Sequence, residues 1–253
     1  MFSSLSTFQS LIDFHSGTSA PSGPTQSYGG AFNRSIIHTA PLSTRYLSVN
    51  TAQYIGGGKF TIEFWVFIPS NTTTAGVGLF GNRYQSNTTN PRLHCWFNFG
   101  GNNGAIRLFN IAVPSANDNQ FLITNVIQLG QWNHIAFTRD ANNVCRSFVN
   151  GVLQPITRTW TTSFTFDNQW AIGRAYQDLN QEHLVANGLI TGFSFSNECY
   201  YTTTFTPTKQ FLNNDSTKIL LLNFNGGTLT DSSSSNNTVT NNGSMGFSTT
   251  VPT

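Results

Sequence analysis

The sequence predicts an all-β fold, a sandwich of two antiparallel sheets. Residues 131–151 give the first observation, because two short alternating stretches joined by a polar turn end at the turn dipeptide Asn150-Gly151. The second is residues 60–68, where apolar side chains occupy nearly every position on both strand faces. The third is the regular spacing of short strand-like stretches and turn signals elsewhere, without a helical period of any length.

The first 45 residues show little periodicity, and residues 16–30 are rich in Gly, Pro and Ser. We expect residues 1–45 to form an N-terminal arm or loop segment that packs on the sandwich or on a neighbouring subunit. A mobile tail is the alternative interpretation. Regular structure is expected to begin at Tyr46, and residues 46–253 are long enough for one large sandwich domain.

Residues 60–68 (FTIEFWVFI) are predicted to form a central strand. One face carries only Phe, Ile and Val, while the other carries Glu63 and Trp65 among apolar neighbours. A strand that is apolar on nearly both sides belongs in the middle of a sheet. Pro69 ends it because proline lacks the amide hydrogen that a ladder needs.

Further strands are predicted from alternation between turn signals. They are expected at residues 77–80, 93–99, 105–111, 132–139, 144–149, 152–153, 164–166, 170–173, 188–196 and 219–224. Residues 81–91 and 114–120 are predicted to be loops, and the chain after residue 231 a turn-rich tail.

Several of these stretches resemble one known family. The motif WNHIAFTR, with the strand ending FVNG (132–151), resembles the central hairpin of laminin-G-like, concanavalin A-like jelly-roll domains. FTIEFWV (60–66) resembles an early strand of the same domains. The resemblance extends over residues 46–248 with the motifs in the family's order. It implies a two-sheet antiparallel jelly roll but no single activity, since this scaffold carries lectins, glucanases and adhesion modules.

The C-terminal part resembles a narrower group. YYTTTFTPTK (200–209), ILLLNF (219–224) and the Asp231-Ser-Ser stretch resemble segments of these domains in phage and large-DNA-virus structural proteins. The resemblance implies a component of a virion.

Composition excludes several classes of partner. Only 9% of residues are charged, and the net charge of +2 is scattered, so no basic patch predicts nucleic acid or an anionic membrane as a partner. No apolar run approaches the roughly 20 residues of a membrane span. The N-terminus has no basic region and no apolar core typical of a signal peptide, so we expect synthesis in a host cytoplasm.

The three cysteines have no metal-type spacing. We expect Cys95, Cys145 and Cys199 to be buried thiols in strands of a protein made in a reducing compartment. The chain also holds six Asn-x-Ser/Thr sequons, which we expect to stay unmodified without a secretion signal. They begin at Asn33, Asn71, Asn87, Asn214, Asn236 and Asn242.

Catalytic motifs are absent from the sequence. Glycosidases need two carboxylates flanking the scissile bond, and the E-x-D-x-x-E string of laminarinase-like members of the fold does not occur. Only Asp178 and Glu182 are near neighbours among the ten acids. We therefore predict no catalytic residues, no enzyme activity and no cofactor, and rank glycoside hydrolysis third among the functions.

One loop has a weak calcium-like pattern. Asp178, Asn180 and Glu182 place oxygen ligands at alternate positions. The loop lacks the glycine and the ligand density of a calcium site, so we interpret it as a solvated polar loop and predict no metal.

Glycan binding needs exposed aromatic rings and fixed polar side chains. The candidates on one rim are Arg83, Tyr84, Arg174 and Tyr176, each pair following a strand that ends in a small-residue turn, with Trp96 facing the same surface. The competing interpretation, which we favour, is that these aromatics fill the core or an interface.

Two main functional hypotheses follow. The first is a non-enzymatic virion structural protein, namely a minor capsid, fibre or decoration component whose partners are other capsid proteins or further copies of itself. Its low charge suits permanent packing against neighbours. The second is a carbohydrate-binding lectin module that contacts cell-surface glycans.

Overall fold

The computed structural model describes residues 23–39, 45–50, 58–70, 76–81, 93–97, 106–110, 120–123, 127–161, 169–175, 184 and 186–253. Over these residues the chain forms eighteen strands and one short 3₁₀ helix, Asn225–Gly227. The strands are β1 (Tyr28–Ala31), β2 (Ser35–Ile37), β3 (Tyr46–Asn50), β4 (Phe60–Phe67), β5 (Val77–Gly81), β6 (Leu93–Phe97), β7 (Ile106–Asn110), β8 (Gln120–Ile123), β9 (Trp132–Arg139), β10 (Val144–Val149), β11 (Val152–Leu153), β12 (Arg158–Thr159), β13 (Gln169–Ile172), β14 (Leu189–Ser196), β15 (Gln210–Leu212), β16 (Lys218–Leu222), β17 (Thr238–Asn242) and β18 (Gly246–Ser248).

The larger sheet contains nine strands in the order β11-β10-β9-β4-β14-β2-β18, with β12 paired to β10 and β16 paired to β14. Strand β4 lies between β9 and β14, as its apolar sequence predicts. The predicted meander is also confirmed, because β9, β10 and β11 pair consecutively and antiparallel. Asn150 and Gly151 both have positive φ at the turn between β10 and β11.

The smaller sheet contains seven strands in the order β17-β3-β13-β5-β6-β7-β8. All its pairings are antiparallel. A separate two-stranded ribbon pairs β1 with β15. The chain is therefore the antiparallel two-sheet jelly-roll sandwich that the sequence predicts.

Aromatic rings from the two sheets meet in the core. The ring centroid of Phe80, on β5, lies 5.7 Å from that of Phe64 on β4 and 5.5 Å from that of Phe193 on β14. Trp170 on β13 lies 5.3 Å from Phe195 on β14. The side chains at alternate positions of β4, which the sequence assigns to one face, lie in this core. The two-residue repeat of the strand therefore determines which side chains pack between the two sheets.

The opposite face of the nine-stranded sheet is covered by the chain that follows β14. A second apolar cluster there contains Ala136, Phe148, Tyr200 and Tyr201, with Phe205 packed against it. The rings of Tyr201 and Phe205 are stacked 3.6 Å apart. This cover places Tyr201 over the outer face of β4, where its hydroxyl donates a hydrogen bond to the buried Glu63.

Both ends of the chain contain more structure than the sequence suggests. Within the described residues, regular structure begins at Tyr28, ahead of the predicted start at Tyr46, and β2 lies within the nine-stranded sheet between β14 and β18. The tail contributes β17 and β18, one to each large sheet. These strands are short and rich in Gly, Ser, Thr and Asn, so they lack the apolar alternation on which strand prediction depends.

Three further expectations concern β8, residues 164–166 and the cysteines. Strand β8 begins at Gln120, the last residue of the predicted loop at 114–120, and no strand is predicted there. The strand expected at residues 164–166 lies outside the described residues. All three cysteines are buried free thiols, but only Cys95 and Cys145 lie in strands, because β14 ends before Cys199.

Candidate functional site

Most of the residues that the sequence singles out for ligand binding lie outside the described part of the chain. They are Arg83, Tyr84 and Tyr176 of the proposed glycan rim, and Asp178, Asn180 and Glu182 of the calcium-like loop. Among the described residues, no group of three or more His, Cys, Asp or Glu side chains is placed to hold a metal ion.

The two described rim residues pack against other side chains. Trp96 on β6 is buried, and its ring is stacked on that of His94 with centroids 4.5 Å apart. Arg174 follows β13 and is also buried, with its guanidinium carbon 4.9 Å from the ring centroid of Tyr46. A role for these residues in glycan binding stays a prediction.

A cleft of about 270 Å³ opens where the β1–β15 ribbon meets the end of β16. We call it the amide cleft because four asparagines line it. Its described lining residues are Phe211, Leu212, Asn213, Asn214, Leu221, Asn223, Phe224, Asn225, Thr228 and Ser232.

A tight turn after β16 shapes one side of the amide cleft. Phe224 adopts a left-handed backbone conformation with φ of 56°, and Gly226 and Gly227 also have positive φ. The backbone amide of Gly226 donates a hydrogen bond to Oδ1 of Asn33 (3.0 Å), which anchors the turn to the chain that follows β1. Phe224 is a costly residue for this conformation, but its ring is buried in the core, and that burial holds the turn.

The carboxylate of Asp231 holds the opposite wall of the amide cleft in place. It accepts hydrogen bonds from the backbone amides of Leu221 (2.9 Å), Ser233 (2.9 Å) and Asn237 (2.8 Å). The backbone amide of Ser232 in turn donates to the carbonyl of Leu221 (2.8 Å). These bonds tie the loop beyond the turn to β16, so this wall of the amide cleft is built in advance of any ligand.

The ribbon supplies an aromatic surface. The ring of half-buried Phe211 on β15 lies against the backbone of β1, where Gly29 and Gly30 leave room for it. Asn213 continues the pairing, since its backbone amide donates to the carbonyl of Ser27 (3.0 Å) and its Nδ2 donates to Oγ of Ser27 (2.9 Å). The Phe211 ring is therefore held in place on one side.

Two asparagines of the cleft lining have unpaired side-chain oxygens. Asn223 is 7% exposed, and its Nδ2 donates to the carbonyl of Leu212 (3.1 Å). Oδ1 of Asn223 and Oδ1 of Asn225 are both buried, and neither accepts a hydrogen bond from the described residues. Because both oxygens are buried, they lie beneath the surface that a ligand in the cleft would meet.

The amide cleft is electrically neutral along its described walls. Its polar groups are amides and the hydroxyls of Thr228 and Ser232, and its apolar groups are Phe and Leu side chains. A neutral ligand with hydroxyl groups and an apolar face fits this chemistry.

A buried carboxylate lies below the ribbon. Glu63 on β4 is 4% exposed and accepts hydrogen bonds from Nε2 of Gln26 (2.8 Å) and the hydroxyl of Tyr201 (3.0 Å), and Nε2 of His134 lies 3.3 Å from its Oε2. These residues come from β4, β9, the chain before β1 and the cover after β14. Glu63 therefore joins the sheet to the two segments that lie on it.

Opposing influences set the pKa of Glu63. Burial raises the pKa of its carboxyl, whereas the hydrogen bond and charge of His134 lower it. The hydrogen bond from Gln26 and the charge of Lys218 act in the same direction, so the pKa lies below its ordinary value. A cavity of about 20 Å³ adjoins the carboxylate, and Leu212 lines both this cavity and the amide cleft.

The described carboxylates are engaged by the protein's own donors. Asp140 contacts Arg146 at 2.8 Å, and Glu198 accepts a hydrogen bond from Nζ of Lys59 at 2.6 Å. Asp215 accepts a 2.8 Å bond from the amide of Thr217. No two of these described carboxylates line the amide cleft, so the described part of the chain does not show the paired acids of a glycosidase there.

The amide cleft has only a weak signal in the sequence. It consists of Asn213-Asn214 and the Asn223 to Gly227 stretch, which begins inside the strand predicted at residues 219–224. In a chain so rich in Asn, Ser and Thr these residues do not stand out until the fold brings the two stretches together.

Comparison with known proteins identifies the family to which this fold belongs. The family model described as the concanavalin A-like lectin/glucanases superfamily, of laminin G type, matches residues 42–200, which is more than half of the 253-residue chain. The amide cleft lies beyond the matched residues, in the C-terminal part of the sandwich.

One solved structure agrees with this fold. A protein from Bacteroides ovatus ATCC 8483, described as a "putative carbohydrate binding protein", superposes with a TM-score of 0.61 at 15% identity over 86% of this chain. The chain spans 60% of that protein's length. A heptameric SAP-like pentraxin from Limulus polyphemus has a TM-score of 0.46 at 14% identity, over 66% of this chain and 77% of that one.

A third structure is domain 4 of AbnA, a GH43 extracellular arabinanase from Geobacillus stearothermophilus, in complex with arabinotriose. It has a TM-score of 0.42 at 20% identity, over 71% of this chain and 78% of that one. No curated protein matches the sequence.

Other predictions stand as follows. No helix within the described ranges is long and apolar enough to cross a membrane. The proteins compared above include no virion component, so the virion role, its capsid partners and synthesis in a host cytoplasm stay predictions from the sequence. The family match and the two-sheet architecture agree with each other, and the chain belongs to the concanavalin A-like lectin/glucanases superfamily.

Proposed function

We propose that this protein is a carbohydrate-binding domain and that the amide cleft is its binding site. The observation that carries the proposal is the half-buried Phe211 ring in a neutral cleft of about 270 Å³ that four asparagines line. Sugar hydroxyls exchange hydrogen bonds with side-chain amides, and the C–H face of a sugar ring packs on an aromatic side chain.

The comparisons support this proposal at the level of fold. The family includes lectins, and the Bacteroides ovatus protein with the same fold is described as carbohydrate binding. The lectin hypothesis therefore has more support than the virion hypothesis that the sequence put first.

We also propose that binding occurs without catalysis. Glu63, which lines a small cavity with Tyr28 and Gln210 of the ribbon, is 4% exposed and engaged by Gln26 and Tyr201. A retaining glycosidase needs a second carboxyl group about 5–5.5 Å from the first. The described lining of the cavity beside Glu63 includes no other carboxylate.

A glycan array followed by isothermal titration calorimetry of the hits tests the proposal. The native chain should bind at least one glycan, and Phe211→Ala and Asn225→Leu should each weaken binding by about tenfold or more. Val152→Ala serves as the matched control, because Val152 is 53% exposed on β11 and does not line the cleft. Absence of binding to any glycan, or binding that neither cleft variant weakens, would contradict the proposal.

A further inference from the structure

We infer that Glu63, which does not line the amide cleft, is a positioning residue for that cleft and acts on it through Gln26 and Ser27. Glycan affinity then depends on the charge of a carboxylate that is buried on the sheet and touches no ligand. The inference rests on the proposed function and names a regulation of the same site. Three features of the structure carry it.

The first feature is a short series of hydrogen bonds between the carboxylate and the cleft. Nε2 of Gln26 donates to Oε1 of Glu63 at 2.8 Å. The next residue, Ser27, accepts two hydrogen bonds from Asn213, one at its carbonyl (3.0 Å) and one at its Oγ (2.9 Å). Asn213 lines the amide cleft. A displacement of Gln26 therefore moves the residue to which this wall of the cleft is bonded.

The second feature is the buried side chain of Leu212, which lies between the carboxylate and the cleft. It lines the cavity of about 20 Å³ beside Glu63 and also lines the amide cleft. Leu212 pairs with Tyr28 across the β1–β15 ribbon. Since Phe211 is its neighbour in β15, a shift of the ribbon on the sheet also moves the aromatic ring of the cleft.

The third feature is the dependence of the Gln26 bond on the charge of Glu63. The ionisable groups that act on this carboxylate or are acted on by it are His134 on β9, Tyr201 in the cover after β14, Tyr28 on β1 and Lys218 on β16. A hydrogen bond to a charged acceptor is about twice as strong as one between neutral groups, so protonation of Glu63 weakens its hold on Gln26. Because the pKa of Glu63 lies below its ordinary value, the hold is lost only as pH falls below about 4.3.

A pH titration of the ligand-free chain by nitrogen–proton NMR tests this linkage without any saccharide. The backbone signal of Ser27 and the side-chain amide signals of Asn213 are followed from about pH 6.5 to about pH 3, over the part of that range in which circular dichroism shows the fold intact. Asp215 lies two positions from Asn213 and titrates in the same range, so the response is taken as the difference between the native chain and Glu63→Gln.

We expect an acid inflection in the native chain that is missing from Glu63→Gln. Gln26→Leu keeps the carboxylate and removes only the donor, so the Asn213 inflection should shrink in this variant too. Titration curves that are the same in the native chain and in Glu63→Gln would overturn the inference. An Asn213 inflection that is undiminished in Gln26→Leu would also overturn it, because the effect would then not pass through Gln26.

Calorimetry with the glycan that binds best gives the second readout. At neutral pH, Gln26→Leu and Glu63→Gln should each bind about fivefold or more weakly than the native chain, which is the lower limit of typical coupling between two sites. The double variant should bind no more weakly than the weaker single variant, because both changes break one link. Losses that multiply in the double variant would show that the two residues act separately and would contradict the inference.

Asp140→Asn is the matched control. Asp140 is a carboxylate paired with Arg146 at 2.8 Å, and it does not line the amide cleft. The variant removes one buffered negative charge, as Glu63→Gln does, and should bind glycan as the native chain does. A loss equal to that of Glu63→Gln would mean that net charge, and not the bond to Gln26, sets the affinity.

The two readouts separate the inference from the proposed function. If no glycan binds although Glu63 and Asn213 are linked in the ligand-free chain, the proposed function is wrong and the claim about affinity falls with it. If a glycan binds and Phe211→Ala weakens it, while Gln26→Leu and Glu63→Gln bind as the native chain does, the cleft is a glycan site but Glu63 does not position it.

Discussion

The ring of Phe211 occupies the space that a β-carbon on Gly29 would need. A methyl group at position 29 would lie 2.5 Å from Cζ of Phe211 and 2.9 Å from Oδ1 of Asn213. At Gly30 the same addition would meet Phe211 only at 3.4 Å, an ordinary contact. The glycine at position 29 is thus required by a neighbouring side chain and not by its own backbone conformation, which is extended in β1.

Gly29→Ala should weaken glycan binding although Gly29 makes no contact with the cleft itself. The new methyl group would push the Phe211 ring out of place and disturb the bond between Asn213 and Ser27, so we expect affinity to fall by about tenfold, or ~1.4 kcal/mol. Gly30→Ala is the matched control and should bind nearly as the native chain does. Equal affinities in calorimetry would show that the position of Phe211 does not matter.

Tyr201→Phe should destabilise the protein without touching the amide cleft. The variant removes a hydrogen bond to the buried Glu63 carboxylate, and bonds to charged groups contribute about 1.5–3 kcal/mol to stability. Urea unfolding measures the change. In a Glu63→Gln background the same substitution should cost clearly less, because the charge is gone, and an undiminished cost would refute the assigned pairing.

The free energy of unfolding should fall at acid pH, partly because Glu63 becomes protonated. Its pKa in the folded chain lies below its ordinary value, because the interactions with His134, Gln26 and Lys218 outweigh burial. The stabilisation is therefore fully present above the unfolded pKa of about 4.3 and is lost as pH falls through the lower folded value. Glu63→Gln should flatten the pH dependence of unfolding below about pH 4.5. If the pH dependence of unfolding in acid is the same in the variant as in the native chain, Glu63 does not keep its charge in the folded chain.

The cysteines should be unreactive in the folded protein. Burial raises the pKa of the Cys145 thiol to about 12, although the charge of Arg139 lowers it, and burial alone raises that of Cys95. Since the thiolate is the reactive form, a thiol-specific reagent at pH 8 should label the native chain slowly and the urea-unfolded chain at three positions. Rapid labelling of Cys145 in the native chain would contradict its burial.

The fold is predictable because its main signals are local. β4 shows its central position through apolar residues on both faces, and the β9–β10–β11 meander shows its register through alternation and through the Asn150-Gly151 turn between β10 and β11. What the sequence does not show is how the outer face of β4 is covered. Tyr201 reaches Glu63 across 138 positions, and no periodic pattern encodes such a contact.

The amide cleft escapes sequence analysis for a related reason. Phe211 belongs to a ribbon whose partner strand, β1, lies about 180 positions earlier, while Asn223 follows a strand that pairs with β14. The two stretches meet only through these non-local pairings. Each contains residue types that are common in this chain, so neither stretch has a distinctive composition.

The most direct test of the binding site is a nitrogen–proton NMR titration of the native chain with the oligosaccharide that binds best. The amide-cleft account predicts that side-chain amide signals of Asn223 and Asn225 and backbone signals of residues 211–214 shift on binding, while those of β11 do not. If the shifts instead cluster around Trp96 and Arg174, with residues 211–214 unaffected, the sugar binds at the rim first considered from the sequence and the assignment of the amide cleft is wrong.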